Sequence, residues 1–240
     1  DRIIGGINEA STAAARAVYA TYVDAELLET DATTAELCKL LENTYRDVNI
    51  ALTNQMAAVA EGLGVDPLEA LRLASLHPRV DYLQPGIGVG GHCIPIDPWF
   101  LHQVAPRTTS MITTAREVNR DRELLVADRI ADELGDDRGV VVLAGVAYKA
   151  NVSDSRESPA LSIARMLRQR GIEVRIYDPL VDDYSGSLMR KIDGADLVAI
   201  LVRHSTLVDR IASEWDAIEA AMRHPRIIDF STGSARQFGV

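Results

Sequence analysis

A run of roughly thirty residues without glycine or proline is the sequence feature that most constrains the fold. It begins at Thr33 or Thr34 and continues until Gly62 and Gly64 interrupt it. Because glycine and proline are the residues that end helices, the run is predicted to form one long α-helix. Its apolar side chains fall on one stripe, which is expected to face a core or a partner helix. The stripe consists of Leu37, Leu41, Thr44, Val48, Leu52 and Val59.

The opposite face of this helix carries a short polar set. Lys39, Asn43 and Arg46 stand at positions i, i+4 and i+7, with Glu36 one turn earlier. On most helices such a set is a solvated face with an internal ion pair. It gains functional interest only together with a glycine-rich segment further along the chain.

This glycine-rich segment spans residues 84–98 and leads directly to a single cysteine. It contains Gly86, Gly88, Gly90, Gly91, Cys93 and Asp97. Glycines let backbone N–H groups approach an anion or a sugar closely, so the segment is interpreted as a substrate loop that carries a covalent nucleophile. A mobile turn and a buried, unreactive cysteine are the alternatives. Residues 77–84 do not resemble the strand of a dinucleotide fingerprint, and Pro95 and Pro98 are expected to exclude a helix directly after the cysteine.

The rest of the first half is predicted to be helical. Further helices are predicted over residues 12–23, from Asp66 to His77 and over residues 110–133. Ser11 is the predicted cap of the first of them, and Asp66 caps the second, with proline at its first helical position. A short strand or loop is expected around Leu27.

Short apolar runs alternate with helical segments from Arg138 onward. The runs cover residues 140–145, 172–177, 195–202 and 226–229, and helices are predicted over residues 158–171 and 205–222. This alternation predicts a parallel sheet, which binds ligands beyond the carboxyl ends of its strands. Tyr148 and Lys149 follow the first strand, and the absence of a strict dinucleotide fingerprint there favours a nucleotide of another kind. The predicted fold is mixed α and α/β, with an all-helical domain over residues 10–133 and a Rossmann-like parallel α/β domain over residues 134–240.

Composition limits the partners and the compartment. The chain has a formal net charge of −10 and a pI near 5.0, which argues against nucleic acid or a membrane surface as partner, because both require a basic face. Its two cysteines, Cys38 and Cys93, are too few for a disulfide framework or a structural zinc site, so no metal is predicted and a reducing cytoplasm is expected. Of the 25 basic residues only Lys39, Lys149 and Lys191 are lysines, and two of these lie in the candidate segments, where an ammonium that exchanges a proton is useful.

Four motifs in this chain resemble, in their order, those of the UDP-glucose/GDP-mannose dehydrogenase family. They are Ala35-Glu-Leu-Cys-Lys39-Leu-Leu-Glu-Asn43, His77-Pro-Arg79, Gly90-Gly-His-Cys93-Ile-Pro-Ile-Asp97-Pro, and Ala147-Tyr-Lys149 through Asp154-Ser-Arg156-Glu-Ser-Pro159. The family oxidises the alcohol of a nucleotide sugar twice, to a uronic acid, with NAD as cofactor. The resemblance implies a Rossmann domain for NAD, a helical dimerising domain and a UDP-binding domain, and this chain is similar to the last two.

The opening residues are interpreted within the same scheme. The short apolar run that ends at Gly5 and Gly6 resembles the final strand of the NAD domain, so residues 1–9 are expected to be a remnant of that domain. The resemblance then implies that these 240 residues are inactive without an NAD domain. It also implies a homodimer formed through the long central helix.

The residues around the cysteine are similar to the branch of the family that acts on 2-acetamido sugars. His92 before the cysteine and the stretch from Ile94 to Phe100 carry this similarity. UDP-N-acetyl-D-mannosamine is the expected substrate, with UDP-N-acetylglucosamine, UDP-N-acetylgalactosamine and UDP-glucose as alternatives. A place in polysaccharide biosynthesis is implied.

The resemblance also implies roles for individual residues. Cys93 is expected to trap the aldehyde as a thiohemiacetal that becomes a thioester, Lys39 and Asn43 to stabilise the oxyanion, and Asp97 to position a water molecule. The expected substrate contacts are Arg46, His77, Arg79, Gly86, Gly88, Gly90, Tyr148 and Lys149. Arg79 is expected to reach the neighbouring subunit's site, and Arg156 to contact NAD.

Two other interpretations remain open. The first is a non-catalytic module that dimerises and binds a UDP-sugar. The second is a thiol hydrolase dyad of His92 and Cys93, which is disfavoured because adjacent residues rarely face each other on a short loop and no Asn or Asp that orients the histidine is evident. One position departs from the family pattern: members often carry an arginine after the final strand to hold the nucleotide, whereas here Phe230 and Ser231 follow Asp229.

Overall fold

The computed structural model describes residues 1–135 and 139–238. The predicted change of pattern at Arg138 falls outside these ranges. Among the described residues, no helix combines the length and the apolarity that crossing a membrane requires.

The first 31 residues form a small βαβ unit. Strand β1 spans Arg2–Gly6, helix α1 spans Glu9–Tyr19 and strand β2 spans Leu27–Asp31, and the two strands pair in parallel. The predicted cap of α1 is wrong: Asn8 is the N-cap, and the N–H of Ser11 donates to its side chain while the N–H of Asn8 donates to the Ser11 hydroxyl. Both residues suit a cap, and a capping box uses a pair at this spacing. The unit extends across the boundary expected at residue 9.

Helix α2 spans Ala32–Gly62 and is the long helix that the sequence predicts. Its apolar stripe is not part of the chain's own core, since Leu41 is 52% exposed and Leu52 is 44% exposed. The buried side of α2 carries polar residues instead, among them Asn43, Asp47 and Asn54. The expectation that the stripe faces a core is therefore wrong for the single chain, and a partner helix stays a prediction.

Three more helices complete the helical part. Helix α3 spans Pro67–Ala74, α4 spans Asp97–Val104 and α5 spans Ser110–Leu134, and all three pack against α2. Helix α4 contradicts the expectation that proline excludes a helix after the cysteine. Pro98 lies in its first turn, where a missing N–H needs no partner, so this proline begins the helix.

The second half is a five-stranded sheet with helices on both faces. The strands are β3 (Val140–Ala144), β4 (Glu173–Tyr177), β5 (Leu197–Ile200), β6 (Ile227–Asp229) and β7 (Arg236–Gln237). The helices are α6 (Pro159–Gln169), α7 (Leu188–Ile192), α8 (Ser205–Ser213) and α9 (Trp215–Ala221). The strand order is β4-β3-β5-β6-β7, with β3 to β6 parallel and β7 antiparallel to β6. One apolar cluster packs α5 and α6 on one face, and a second packs α7, α8 and α9 on the other.

The predicted fold class, a helical part followed by a Rossmann-like α/β part, is confirmed. Two details differ. The single helix predicted over residues 205–222 is broken at Glu214 into α8 and α9. Helix α7 and the short strand β7 have no counterpart in the prediction, because segments of five and two residues contain too little periodicity to be recognised.

Candidate functional site

Three residues predicted to act together are joined by hydrogen bonds. The ammonium of Lys39 donates to Asn43 Oδ1 at 3.3 Å, and Asn43 Nδ2 donates to Asp97 Oδ2 at 2.5 Å. Asn43 is 2% exposed, whereas the side chain of Lys39 is 62% exposed and also pairs with Glu42. The buried amide therefore links an accessible ammonium on α2 to the carboxylate that begins α4.

Cys93 lies one turn before this carboxylate. The backbone N–H groups of Ile96 and Asp97 both donate to the carbonyl oxygen of Cys93, at 3.0 and 2.8 Å. The thiol is exposed, and its Sγ atom lies 3.3 Å from Nδ1 of His92. The expectation that adjacent residues do not face each other here is therefore wrong, because these two side chains approach within hydrogen-bonding distance.

Three predicted substrate contacts are not brought to this cluster by any contact among the described residues. Arg46, His77 and Arg79 are exposed, and the one hydrogen bond among them joins the Arg79 N–H to His77 Nδ1 at 3.3 Å. Their predicted roles remain predictions.

A cavity of about 310 Å³ lies at the carboxyl ends of β3 and β5. It brings together four residues that the sequence singles out: Gly86, Gly88, Tyr148 and Lys149. It is completed by Gln84, Ile87, Ala147, Ala150, Pro159, Leu201, Val202, Arg203, Ser231 and Thr232. This lining holds two cationic side chains and no carboxylate, although the chain as a whole has a net charge of −10. Such a cavity suits an anionic ligand.

The glycines of the loop serve two different purposes. A Cβ at Gly90 would lie 2.7 Å from Cδ of Pro159 and 2.8 Å from the carbonyl oxygen of Glu157, and one at Gly88 would lie 3.1 Å from Pro159. At Gly86 the nearest atom is 3.8 Å away. At Gly90 the missing side chain lets the loop pack on the α/β part, and the predicted contacts of Gly86, Gly88 and Gly90 with a ligand remain predictions.

The loop that carries Tyr148 and Lys149 is anchored by a buried pair. Asp178 accepts hydrogen bonds from the N–H groups of Val146 and Ala147 at 2.6 and 3.0 Å, and from His204 Nε2 at 2.9 Å. Burial alone would raise the pKa of Asp178, but these hydrogen bonds outweigh burial and lower it. The N–H of Asn151 donates to the other ring nitrogen of His204, so the pair holds both ends of the loop.

Arg156, the predicted NAD contact, is paired with an acidic neighbour. Its Nε and Nη2 atoms donate to the carboxylate of Asp154, with Nη2 at 2.7 Å. The hydrogen bonds from Arg156 lower the pKa of Asp154 to about 2. The guanidinium is 70% exposed, and Nη1 has no partner among the described residues.

Arg203 is a candidate binding residue that the sequence reasoning missed. It lines the cavity three residues after the end of β5, its side chain is 47% exposed, and it forms an ion pair with Asp229 at the end of β6. The signal for it was available, since the carboxyl end of every parallel strand is a candidate position. Asp229, the residue just before the departure from the family pattern, therefore pairs with a cation that follows the neighbouring strand.

Comparison with known proteins gives the same two parts. Residues 33–121 match the model of the UDP-glucose/GDP-mannose dehydrogenase family central domain, and residues 142–232 match that of the family's UDP binding domain. UDP-N-acetyl-D-mannosamine dehydrogenase of Methanocaldococcus jannaschii is 43% identical over 232 residues, which is 95% of this chain and 54% of the relative. NDP-N-acetyl-D-galactosaminuronic acid dehydrogenase of Ralstonia solanacearum is 41% identical over 214 residues, or 85% of this chain and 51% of the relative.

Solved structures agree with these matches. The UDP-D-ManNAc dehydrogenase of Pyrococcus horikoshii has a TM-score of 0.88 at 39% identity, covering 97% of this chain and 56% of its own. The UDP-N-acetyl-mannosamine dehydrogenase of Staphylococcus aureus has a TM-score of 0.84 at 41% identity, covering 95% and 54%. The chain thus spans about half the length of the relatives it matches.

Proposed function

The chain belongs to the UDP-glucose/GDP-mannose dehydrogenase family, and from this premise we propose that it is the substrate-binding part of an NAD-dependent UDP-N-acetyl-D-mannosamine 6-dehydrogenase. Residues 32–133 are the central domain that carries the nucleophile, and residues 134–240 bind the UDP-sugar. The βαβ unit of residues 1–31, which extends past the boundary expected at residue 9, belongs with the NAD domain. The cytoplasm remains the expected location.

One observation carries the substrate proposal. The cavity beyond the parallel sheet is lined by Lys149 and Arg203 and by no carboxylate, in a strongly acidic chain. A UDP-sugar contributes two phosphate charges that these cations neutralise, while Tyr148 offers a ring face. Gly86 and Gly88, from the loop that continues to Cys93, form another wall, so a sugar that extends from the diphosphate is directed toward the thiol.

The chemistry follows from the cluster around Cys93. The Cys93 thiolate attacks the C6 aldehyde carbon, forming a C–S bond and a hemiacetal oxygen whose charge the Lys39 ammonium stabilises. After loss of a hydride from C6 the adduct is a thioester. Asp97 orients the water that attacks its carbonyl carbon, which breaks the C–S bond and returns the thiol with a free carboxylate. Asn43 contributes to this stabilisation through the second hydrogen of Nδ2, while its hydrogen bonds to Lys39 and Asp97 hold these two side chains together.

NAD supplies the acceptor for the hydride in each of the two oxidations. Among the described residues Arg156 suits it, because its exposed guanidinium keeps Nη1 available for a phosphate while Asp154 holds the rest of the group. The hollow at the end of β1 is less suited to phosphate, since Glu9, Glu29 and Asp31 line it. We therefore expect the 240 residues alone to lack dehydrogenase activity.

The apolar stripe on α2 supports a homodimer through that helix. Leu37, Leu41, Leu52 and Val59 are exposed along one side of it. Two copies related by a two-fold axis bury the same stripe against itself.

Calorimetric titration of the chain tests the proposal. We expect UDP-N-acetyl-D-mannosamine to bind more tightly than UDP-N-acetylglucosamine, UDP-N-acetylgalactosamine or UDP-glucose, and Lys149→Met to weaken all four by roughly tenfold or more, because one charged hydrogen bond to phosphate is lost. Lys191→Met, which removes the charge of a lysine outside the cavity, is the matched control.

Three outcomes contradict parts of the proposal. Absence of binding of every UDP-sugar by the wild-type chain rejects the substrate class. Formation of NADH by the chain with any of these sugars rejects the expectation that it is inactive alone. Binding without covalent labelling of Cys93 by a C6-aldehyde UDP-sugar favours the non-catalytic module.

A further inference from the structure

The backbone of Gly86 is held at both of its polar atoms by buried side chains. Its N–H donates to Oδ1 of Asn54 at 2.9 Å, and its carbonyl oxygen accepts from Nε of Arg122 at 3.1 Å. Asn54 lies on α2 and Arg122 on α5, and each is 2% exposed. Neither side chain lines the cavity, whereas Gly86 does.

The orientation of the Asn54 amide is fixed by a buried polar ladder between α2 and α5. Asn54 Nδ2 donates to Asn119 Oδ1 at 3.2 Å, and Asn119 Nδ2 donates to the carbonyl oxygen of Asp47 at 3.0 Å and to its carboxylate at 2.9 Å. Arg116 Nη1 completes the ladder on the same carboxylate at 2.5 Å. Turning the Asn54 amide over would break the contact to Asn119 and set a donor against the N–H of Gly86, so the ladder keeps the acceptor toward the loop.

Arg122 lies between two walls of the cavity. A Cβ at Gly233 would be 2.2 Å from its Nη2 atom and 2.4 Å from the carbonyl oxygen of Gly86. Gly233 directly follows Ser231 and Thr232, which line the cavity, and its own carbonyl oxygen accepts from Arg129 at 2.6 Å. The terminal nitrogens of Arg122 are buried without a partner among the described residues, so its contact with the loop is the hydrogen bond from Nε to Gly86.

We propose that Asn54 and Arg122 are positioning residues that hold the Gly86 peptide at the cavity wall and thereby set the affinity for the UDP part of the ligand without touching it. This inference rests on the proposed function, because it takes UDP as the occupant of the cavity. It assigns the polar inner face of α2 and α5 to the binding site rather than to folding alone.

Two variants of Arg122 isolate the hydrogen bond to Gly86. In Arg122→Gln an N–H donor stands at the same number of bonds from the backbone as Nε, whereas in Arg122→Met a methyl group stands there. Both remove the buried charge and keep a similar length. We expect Arg122→Met to weaken UDP binding by about three- to tenfold, the worth of one net hydrogen bond, and Arg122→Gln to stay within about twofold of wild type. The probe is UDP itself, titrated by calorimetry into the 240-residue chain.

The control for general loss of stability is Ile192→Ala, which removes a fully buried side chain from the apolar cluster on the far face of the sheet. It is expected to lower the urea midpoint and leave UDP affinity unchanged. An equal loss of affinity in Arg122→Gln and Arg122→Met, or none in Arg122→Met, overturns the inference. If wild type itself does not bind UDP, the proposed function fails, and the inference is then decided by the carbonyl ¹³C resonance of Gly86. A shift of that resonance in Arg122→Met but not in Arg122→Gln supports the positioning of Gly86, and equal shifts reject it.

Discussion

The Nδ1 atom of His92 lies 3.3 Å from the Sγ atom of Cys93, and both residues are exposed. This distance allows the thiol to donate its proton toward the imidazole, and the thiolate is the form of cysteine that reacts with electrophiles. The pair thus gives Cys93 a proton acceptor within the same turn of chain. Cys38, half-buried on α2, has no such neighbour among its hydrogen bonds in the described part of the chain.

This contact predicts a difference in thiol reactivity that the isolated chain can show. Replacing His92 with Phe removes the acceptor, and we expect iodoacetamide labelling of Cys93 at pH 7 to slow roughly tenfold. His92→Asn keeps an acceptor at the position of Nδ1 but cannot take up a proton, so it should slow labelling equally. Peptide mass spectrometry follows Cys93 and Cys38 in the same sample, and Cys38 serves as the internal standard. Equal labelling of Cys93 in wild type and His92→Phe would refute the role of the histidine.

Substitution by alanine is expected to change the stability of the chain at Gly90 but not at Gly86. Gly90→Ala forces a methyl group to 2.8 Å from the backbone oxygen of Glu157, which cannot move aside as a flexible side chain can. We expect a loss of about 1–3 kcal/mol in the free energy of unfolding, the usual cost of overpacking, measured in urea. Gly86→Ala meets no atom within 3.8 Å, so its stability should stay within about 1 kcal/mol of wild type.

A loss of UDP affinity is the effect expected of Gly86→Ala. The methyl group of Gly86→Ala enters the space that the cavity leaves open and is expected to weaken UDP binding. A stable Gly90→Ala variant, or a Gly86→Ala variant that binds UDP as wild type does, would show that these glycines have been assigned to the wrong surfaces.

Much of the architecture could be read from local signals. The glycine- and proline-free run predicts α2, and the alternation of apolar runs with helical segments predicts the parallel sheet, although not the order of its strands. Helix α4 could not be recognised by treating Pro98 only as a helix breaker, because the effect of proline depends on its position in the first turn. The exposure of Leu41 and Leu52 has another cause: periodicity identifies an apolar face but does not say which molecule covers it.

The site residues also divide into those that local sequence predicts and those that only the fold brings together. Residues contributed by one segment, such as Cys93 with Asp97 or Tyr148 with Lys149, were predictable from their spacing. Arg122 was not, since it becomes a candidate only through the distant backbone of Gly86, which the folded chain brings near. Arg203 could have been found from its place after β5, but its ion pair with Asp229 could not. The burial of polar residues on α2 could not be predicted for a related reason, because the polar positions of a helix are ordinarily expected to be exposed to solvent.

The pairing of Arg156 with Asp154 predicts a pH effect with a definite sign. Hydrogen bonds from Arg156 lower the pKa of Asp154 from 3.8 to about 2 in the folded chain. A carboxyl whose pKa is lower in the folded than in the unfolded state stabilises the fold above its unfolded pKa, and this contribution is lost as the pH falls through the folded value. For Asp154 the loss falls between pH 3.8 and about pH 2.

Arg156→Gln should return the pKa of Asp154 toward its ordinary value of 3.8. A ¹³C NMR titration of the Asp154 carboxyl carbon measures this directly. Arg165→Gln, which removes an arginine from α6 that is not bonded to Asp154, is the control. An unchanged titration in Arg156→Gln would mean that the ion pair does not persist in solution, and Asp154 would then not hold Arg156 in place for NAD.

The exposed stripe on α2 predicts how the chain associates. In a two-fold dimer each substitution occurs twice in the interface. Leu52→Arg therefore removes two apolar side chains from the interface and places two positive charges there. At about 1.5–3 kcal/mol for each buried leucine, the dissociation constant should rise by roughly a hundredfold or more. Sedimentation velocity over a range of concentrations is the measurement. Leu124→Arg is the matched control, because Leu124 on α5 is 47% exposed, close to the 44% of Leu52, but lies outside the stripe. Wild type that sediments as a monomer at every concentration, or Leu52→Arg that dimerises as Leu124→Arg does, would exclude α2 as the dimer interface and leave its apolar side without an assigned partner.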